Sequence, residues 1–427
     1  MTNKEKSAIL RLIKREVIPA IGCTEPIAVA LAVAKATETL GILPESIDVS
    51  LSPNVLKNAM GVGIPGTGMV GLPIAIALGA VIGKSTYGLE VLKDITPESL
   101  EKGKELINKN CINISLNNQI AEKLYIEVVC KSGNDSSKVI ILHDHTNIAY
   151  IEKNKEIILN SSSIKNTKLN LELEPVLSYD KVYDFAMDVE INDLHFILKS
   201  AELNKIAANE STKGVFGHSV SETVNSKSHQ SIMGDSIYTR MMATTAAACD
   251  VRMAGAMIPV MSNSGSGNQG IAATLPVVVF AEETGKSENE LIRALILSHL
   301  LVIYIKQSLG KLSALCGAMI AATGSAAGIT FLMGGSRKQI AYSIINMIGN
   351  LTGMICDGAK PSCALKVSSS VSTATISALM AMDNRVVSAL EGIADEDVDK
   401  TIRNLTKIGS EGMSETDKMV LSIMTNK

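Results

Sequence analysis

The 427-residue chain contains no tryptophan and only five phenylalanines, and aromatic residues make up just 3% of it. Membrane-spanning bundles usually carry Trp and Tyr at both membrane interfaces, so this scarcity argues against insertion into a bilayer. Neither sign of charge dominates, since 40 Lys and Arg residues stand against 43 Asp and Glu residues. Without an excess of positive charge, the chain lacks the electrostatic footprint of a nucleic-acid-binding protein.

The N-terminal segment lacks the apolar core of a signal peptide, and the seven cysteines include no CxxC pair. A secreted disulfide framework is therefore not indicated, and we expect a reducing cytoplasm. Three uncharged runs, at residues 58–83, 253–281 and 312–336, are long enough for membrane spans. Proline and polar residues interrupt these runs, which favours buried helices of a globular protein.

The hydrophobic pattern predicts a mainly α fold, with a buried glycine-rich helical core and a small α+β unit. Short alternating segments between residues 111 and 159, separated by Asn and Gly turns, predict the strands of that unit. We predict three parts. They are an N-terminal helical part with a glycine-rich loop that packs with the C-terminal core (1–93), the α+β unit with a linker (94–173), and a helical domain that contains Cys316, Cys356 and Cys363 (174–427).

Three of the cysteines, Cys316, Cys356 and Cys363, lie beside Gly and Pro residues at predicted helix ends. Helix N-termini stabilise negative charge, so thiolates placed there are suited to metal binding. Three thiolates suit a [4Fe–4S] cluster with one iron open to substrate, whereas an electron-transfer cluster normally has four. The spacing alone leaves the alternative of plain core cysteines open.

Long segments around these and other residues carry a family resemblance. They are IGCTEPIAVALA from residue 21, MSNSGSGNQGIAATLPV from residue 261, LSALCG from residue 312 and GMICDGAKPSCALK from residue 353. Together they resemble the iron–sulfur L-cysteine desulfidase family, which is related to the catalytic chain of iron–sulfur L-serine dehydratases. The resemblance covers nearly the whole chain and is weakest between about residues 94 and 180. It implies a [4Fe–4S] cluster on Cys316, Cys356 and Cys363, a catalytic Cys23, and no pyridoxal phosphate.

Cys23 directly precedes a predicted helix, which we expect Thr24 to cap. The helix dipole lowers the pKa of a thiol in such a position, which predicts a thiolate that exchanges a proton with the substrate. A thiolate that shields the open iron while substrate is absent is one alternative, and an inert cysteine in a tight turn is another. His218, in a predicted loop, is the second candidate for a general base.

Two glycine-rich segments, residues 61–68 and 262–270, are predicted to form two walls of a substrate pocket. Both contain a GxGxxG pattern, but neither lies in a convincing βαβ unit, so dinucleotide binding is not indicated. Free N–H groups at a helix N-terminus can hold a carboxylate, whereas glycines that serve only helix packing are the alternative. The predicted substrate contacts are Thr24, Gly66, Thr67, Gly68, Ser262, Asn263, Ser264, Gly265, Asn268 and Gln269.

Two further segments carry polar side chains that could bind a ligand. His143 and His145 alternate along a predicted strand, but no third metal ligand is evident, so a solvated strand end is the preferred interpretation. Arg252 flanks a long apolar run, and we expect it to pair with a substrate carboxylate or near Asp250.

The predicted function is α,β-elimination of L-cysteine to pyruvate, ammonia and sulfide by a cytoplasmic iron–sulfur lyase. The second hypothesis is a deaminase of the L-serine dehydratase type. A non-enzymatic iron–sulfur sensor or binding protein, or a membrane protein, is the third. The expected partner is a small amino-acid substrate, with no nucleic acid and no membrane, and a homodimer is left open.

Overall fold

A computed structural model describes residues 1–117, 119–120, 122–161, 175–310 and 312–426. Within them the chain is mainly α-helical with one small mixed sheet, which confirms the predicted fold class. The helices are α1 (Asn3–Glu16), α2 (Thr24–Leu40), α3 (Pro53–Ala59), α4 (Leu72–Ile82), α5 (Pro97–Asn108), α6 (Tyr179–Asp188), α7 (Ile191–Leu194), α8 (Leu198–Glu210), α9 (Val220–Asn225), α10 (Gln230–Met233), α11 (Ile237–Met253), α12 (Gly267–Glu283), α13 (Glu288–Leu309), α14 (Gly317–Leu332), α15 (Arg337–Leu351), α16 (Cys363–Met382), α17 (Val398–Lys407) and α18 (Ser414–Thr425). The strands are β1 (Pro19–Ile21), β2 (Ser46–Leu51), β3 (Ile112–Leu116), β4 (Tyr125–Ser132), β5 (Asp135–Leu142), β6 (Ile148–Lys153), β7 (Glu156–Asn160) and β8 (Pro259–Met261). From residue 162 onward, the predicted linker lies outside the described residues.

Six of the strands form one sheet in the order β3-β2-β4-β5-β6-β7. β2 runs parallel to β3, and the other neighbours are antiparallel. Burial alternates along β2 and β5, so one face of the sheet is covered. Helix α2 packs on this face, and α4 packs on α2 in the same hydrophobic core. β2 therefore joins the strands of the α+β unit, although the predicted boundary at residue 93 separates it from them.

A second and larger hydrophobic core is built by the helices of the C-terminal half. Helix α14 lies among α12, α13, α15 and α16 and contacts all four. Its sequence is rich in Ala and Gly, and small side chains let neighbouring helices pack closely around it. The N-terminus of this buried helix begins immediately after Cys316, so the core fixes the position of that thiol.

A short antiparallel pair joins the N-terminal part to the helical core. β1 pairs with β8, with Ala20 opposite Val260. Cys23 follows β1 within two residues, and the polar segment 262–266 follows β8 directly. This pairing brings two segments from distant parts of the chain side by side, and neither strand was predicted.

One helix in the described ranges, α13, is long and apolar enough to cross a membrane. Its window has a mean hydropathy of 1.4 and is 78% buried inside the protein, as expected for a core helix. The three uncharged runs of the sequence form the shorter helices α4, α12 and α14, of 11, 17 and 16 residues. Loops interrupt these runs as predicted.

Candidate functional site

A cavity of about 100 Å³ lies where four helices begin. Its lining includes residues at the N-termini of α2, α12, α14 and α16. Each helix N-terminus carries a partial positive charge and backbone N–H groups without helical partners. Four of them facing one volume create a site that favours thiolates and carboxylates.

The three predicted ligand cysteines, Cys316, Cys356 and Cys363, all line this cavity. Cys316 is the N-cap residue of α14, Cys363 is the first residue of α16, and Cys356 lies in the connection before α16. The Cys316 N–H donates to the Met354 carbonyl at 2.9 Å, and the Cys356 N–H donates to the Ala314 carbonyl at 2.6 Å. These two backbone bonds hold the segments that carry Cys316 and Cys356 next to each other.

The electrostatics of the thiols show that they influence one another. Burial raises the pKa of Cys316 to about 12, and the nearby Cys356 and Cys363 add to the effect. Burial also raises the pKa of Cys363. Thiols in such a set ionise together only when a bound cation compensates their charge.

A single metal ion does not match this arrangement. Nowhere in the described ranges do three or more His, Cys, Asp or Glu side chains approach closely enough to hold one ion. The three thiols that share the cavity lining are the donor type that binds iron–sulfur clusters.

The connection from Cys356 to Cys363 is held rigid by charge pairs and by one glycine. Asp357 contacts Lys360 at 2.8 Å and also pairs with Lys366. Burial opposes ionisation of Asp357, but hydrogen bonds from these two lysines lower its pKa to about 2. Gly358 has φ +89°, and a Cβ at this position would lie 2.2 Å from a backbone carbonyl oxygen of α3. Only glycine fits there.

Cys23 lines the same cavity and is itself the N-cap residue of α2. Its thiol donates a hydrogen bond to Glu25 Oε2 at 3.2 Å. Burial and the negative charge of Glu25 raise the pKa of Cys23, so the predicted resting thiolate is wrong for this state. The helix dipole is outweighed because the thiol is out of water and beside a carboxylate. Thr24 does not cap the helix, and its hydroxyl donates to the Gly265 carbonyl at 2.9 Å.

Several lining groups were missed by the sequence analysis. Glu25 Oε1 accepts a hydrogen bond from Asn58 Nδ2 at 2.9 Å and lies 4.0 Å from His145 Nε2. His145 was expected at a solvated strand end, but it is only 4% exposed and lines the cavity. His143 has φ +66° in the β5–β6 turn, which ends the strand alternation and turns the two histidines apart. Lys306 of α13 also lines the cavity.

The polar segment after β8 contributes part of its predicted contacts. Those that line the cavity are Ser264, Gly265, Asn268 and Gln269. Ser262 does not, because its hydroxyl and N–H both donate to the Ile18 carbonyl, at 2.6 and 2.8 Å, beside β1. Asn263 is fully buried and points to His299, outside the lining. These two residues therefore position the segment, while the four lining residues face the cavity.

The glycine-rich loop 61–68 does not form the predicted second wall. Its predicted contacts Gly66, Thr67 and Gly68 are not part of the lining. The N–H groups of Gly66 and Thr67 donate to neighbouring carbonyls, so they are not available to an anion. The loop instead packs behind the Cys23 segment, where a Cβ at Gly22 would lie 2.4 Å from Pro65 Cγ.

Arg252 and His218 occupy different surroundings from those expected. Arg252 lines the cavity and joins two of its segments, donating from Nη1 to Asn268 Oδ1 and from Nη2 to the Gly22 carbonyl, each at 2.9 Å. The Asp250 carboxylate instead accepts from the backbone N–H of His218 at 3.3 Å. His218 is exposed and outside the lining, so the structure does not place it as the reserve base.

Behind the polar segment, His299 is completely buried. Its Nδ1 accepts from Asn263 Nδ2 at 3.0 Å, and its Nε2 lies 3.0 Å from the Thr274 hydroxyl. This pattern assigns a neutral ring with the proton on Nε2. Burial lowers the pKa of His299 to about 3.

We expect the free energy of unfolding to decrease as pH falls from about 6.5 towards 3, because unfolded His299 takes up a proton that the folded residue does not. The folded pKa is the lower one, so this contribution is present above 6.5 and is lost as pH approaches the folded value. Urea unfolding between pH 7 and pH 4 measures it. His299→Gln should lower stability at pH 7 and show a shallower pH dependence, and a slope equal to the wild type would contradict this assignment.

Comparison with known proteins places the chain in a family. The sequence profile described as "Serine dehydratase alpha chain" matches residues 86–422. A UPF0597 protein of Bacteroides fragilis is 63% identical over 428 residues, and the match covers 100% of both chains. UPF0597 proteins of Porphyromonas gingivalis and Oleidesulfovibrio alaskensis are 51% and 44% identical, again over 100% of both chains. The chain therefore belongs to the serine dehydratase alpha chain family and is similar to UPF0597 proteins throughout its length.

Proposed function

We propose that the protein catalyses α,β-elimination of L-cysteine to pyruvate, ammonia and sulfide. One observation carries this proposal. Cys23, hydrogen-bonded to a buried carboxylate, lines the same cavity as Cys316, Cys356 and Cys363. A proton-transferring thiol beside a set of metal-binding thiols suits a reaction that removes a Cα proton and releases a β-substituent.

Cys316, Cys356 and Cys363 would hold a [4Fe–4S] cluster, with no pyridoxal phosphate required. When bound, such a cluster supplies an open iron that acts as a Lewis acid on the leaving sulfur. The N-termini of α14 and α16 favour the thiolate form of the cysteines that begin them, and Lys366, close to Cys316, adds positive charge. The rigid Asp357 loop keeps the third thiol in place.

The proton path starts at the Cys23–Glu25 hydrogen bond. Cys23 Sγ gives its proton to Glu25 Oε2 across 3.2 Å, and the resulting thiolate takes the Cα proton of the substrate. The C–S bond breaks to release hydrosulfide, which takes the proton held by Glu25 and leaves as hydrogen sulfide, so that Cys23 and Glu25 return to their starting forms. The aminoacrylate product tautomerises and is hydrolysed by water to pyruvate and ammonia. The start of α12 supports binding of the substrate carboxylate through backbone N–H groups.

A second candidate is dehydration of L-serine by the same residues, and the family description favours keeping it. The cavity supports elimination of either leaving group, since a hydroxyl and a thiol occupy the same β position. A non-enzymatic iron–sulfur sensor or binding protein is the third candidate. We further propose a cytoplasmic protein that binds a small amino acid and no nucleic acid, with a homodimer to be tested by its mass in solution.

Steady-state kinetics with anaerobically purified, iron-loaded protein separate these candidates. We expect L-cysteine to give the higher kcat/KM, because a soft thiol leaving group suits an iron site better than a hydroxyl does. A higher value for L-serine would make the protein a dehydratase. Failure to release pyruvate from either amino acid, in protein with full iron content, would favour the sensor.

A further inference from the structure

Among the described residues that line the cavity, two buried amide oxygens lack a hydrogen-bond donor, and one buried guanidinium nitrogen, Arg252 Nε, lacks an acceptor. Asn58 Nδ2 donates to Glu25 Oε1 at 2.9 Å, and Gln269 Nε2 donates to the Asn263 carbonyl at 3.4 Å. These bonds fix the orientation of both amides. The remaining oxygens, Asn58 Oδ1 and Gln269 Oε1, are buried and have no donor among the residues that the structure describes.

Glu25 adds negative charge to these acceptors. It is 7% exposed, and it is the one carboxylate among the described residues that line the cavity. Its two oxygens accept from the Asn58 amide and from the Cys23 thiol. Both donors are neutral. The cationic side chains in the same lining are Arg252, which donates to Asn268 and to the Gly22 carbonyl, and Lys306.

Buried acceptors without donors cost free energy until a ligand supplies the missing hydrogens. A primary ammonium carries three N–H donors and a positive charge, whereas a hydroxyl has one donor and no charge. A carboxylate has no donor and would be repelled by Glu25. The chemistry that completes this part of the cavity is therefore a primary ammonium group.

We propose that Asn58 Oδ1 and the Glu25 carboxylate form an ammonium subsite, with Gln269 Oε1 as a further acceptor, and that this subsite selects 2-amino acids over 2-hydroxy acids. The inference rests on the proposed function for its substrate class and adds the groups that recognise the amino end. Because Cys23 shares Glu25 with the subsite, an ammonium bound there brings the adjacent Cα towards Sγ. Recognition and proton transfer then use the same carboxylate.

The test measures inhibition of L-cysteine turnover in the iron-loaded protein by two probes that have no leaving group. L-alanine carries the ammonium, and L-lactate replaces it with a hydroxyl. We expect L-alanine to inhibit at a concentration about tenfold or more below that of L-lactate, since charge-assisted hydrogen bonds are involved. Equal inhibition by the two probes would overturn the subsite.

Two alanine variants test whether Asn58 produces the preference for L-alanine over L-lactate. Asn58→Ala should raise KM for L-cysteine about tenfold with a smaller effect on kcat, and should reduce the preference for L-alanine. Asn54→Ala is the matched control, because Asn54 lies on the same helix, α3, and also has a buried oxygen without a donor, but lines a separate cavity. An Asn58 variant that keeps the full preference would also overturn the proposal.

Direct binding separates this inference from the proposed reaction. Calorimetry with L-alanine and L-lactate needs no turnover and no variant. Tighter binding of L-alanine by a protein that does not cleave L-cysteine would support the subsite and reject the reaction. Efficient cleavage of L-cysteine without any preference for L-alanine would reject the subsite and leave the reaction standing.

Discussion

Serine in place of Cys316, Cys356 or Cys363 should remove most of the iron and acid-labile sulfide from the anaerobically purified protein. Each thiol lines the same cavity, and Cys316 and Cys363 lie at the starts of α14 and α16. A cluster held by only three protein ligands has no spare ligand, and a serine hydroxyl is a harder and weaker ligand for iron than a thiolate. Brown colour, iron content and elimination activity should therefore fall together in all three variants.

Cys249 provides the matched control. It is fully buried on α11, and burial together with the charge of the nearby Cys363 raises its pKa. It is close to the ligand thiols but does not line the cavity. Cys249→Ala should keep its iron. Full iron content in all three serine variants would refute the cluster assignment, and loss of iron in Cys249→Ala alone would move a ligand role to α11.

The cysteine positions were predictable because short-range sequence features determine them. Gly317, Gly358 and Pro361 favour helix ends over helix interiors, so they indicate that the cysteines beside them lie at helix ends. The buried helices also follow from uncharged runs without any knowledge of tertiary contacts. The sequence alone does not predict that four helix N-termini meet at one cavity, because this depends on how helices from distant parts of the chain pack together.

The residues that the sequence analysis missed reach the cavity through tertiary structure. His145 arrives from the β5–β6 turn, where one left-handed residue, His143, ends the strand alternation. Asn58 lies on a short helix with no motif of its own, and only its bond to Glu25 reveals a role. The prediction for the glycine loop 61–68 is wrong because of contacts that the sequence does not show. Its backbone N–H groups, which were expected to bind an anion, donate to neighbouring carbonyls in the folded protein. Glu25 is the one missed residue that the sequence signals, because it is a charged residue directly before the apolar stretch 26–34 of α2.

Alanine in place of Cys23 should leave the iron content unchanged and reduce elimination by a factor of about 10²–10⁴, the usual contribution of a general acid or base. Cys23 lies at the N-terminus of α2, a helix that carries none of the three predicted ligand cysteines, although all four thiols line one cavity. Its hydrogen bond goes to Glu25, which provides a proton acceptor without any help from the metal. Exchange of the substrate Cα proton with deuterium from D₂O should be lost in parallel with turnover.

Exchange and iron content together decide the role of Cys23. Cys111→Ala is the control, because Cys111 is half-buried beside β3 and its thiol donates to the Leu106 carbonyl, away from the cavity. That variant should keep both iron and exchange. Loss of iron in Cys23→Ala would make Cys23 a ligand, and normal turnover would make it structural. If Cys23→Ala retains both its iron and the exchange of the Cα proton, another residue of the cavity lining transfers the proton. His145, whose Nε2 lies 4.0 Å from Glu25 Oε1, is then the next residue to substitute.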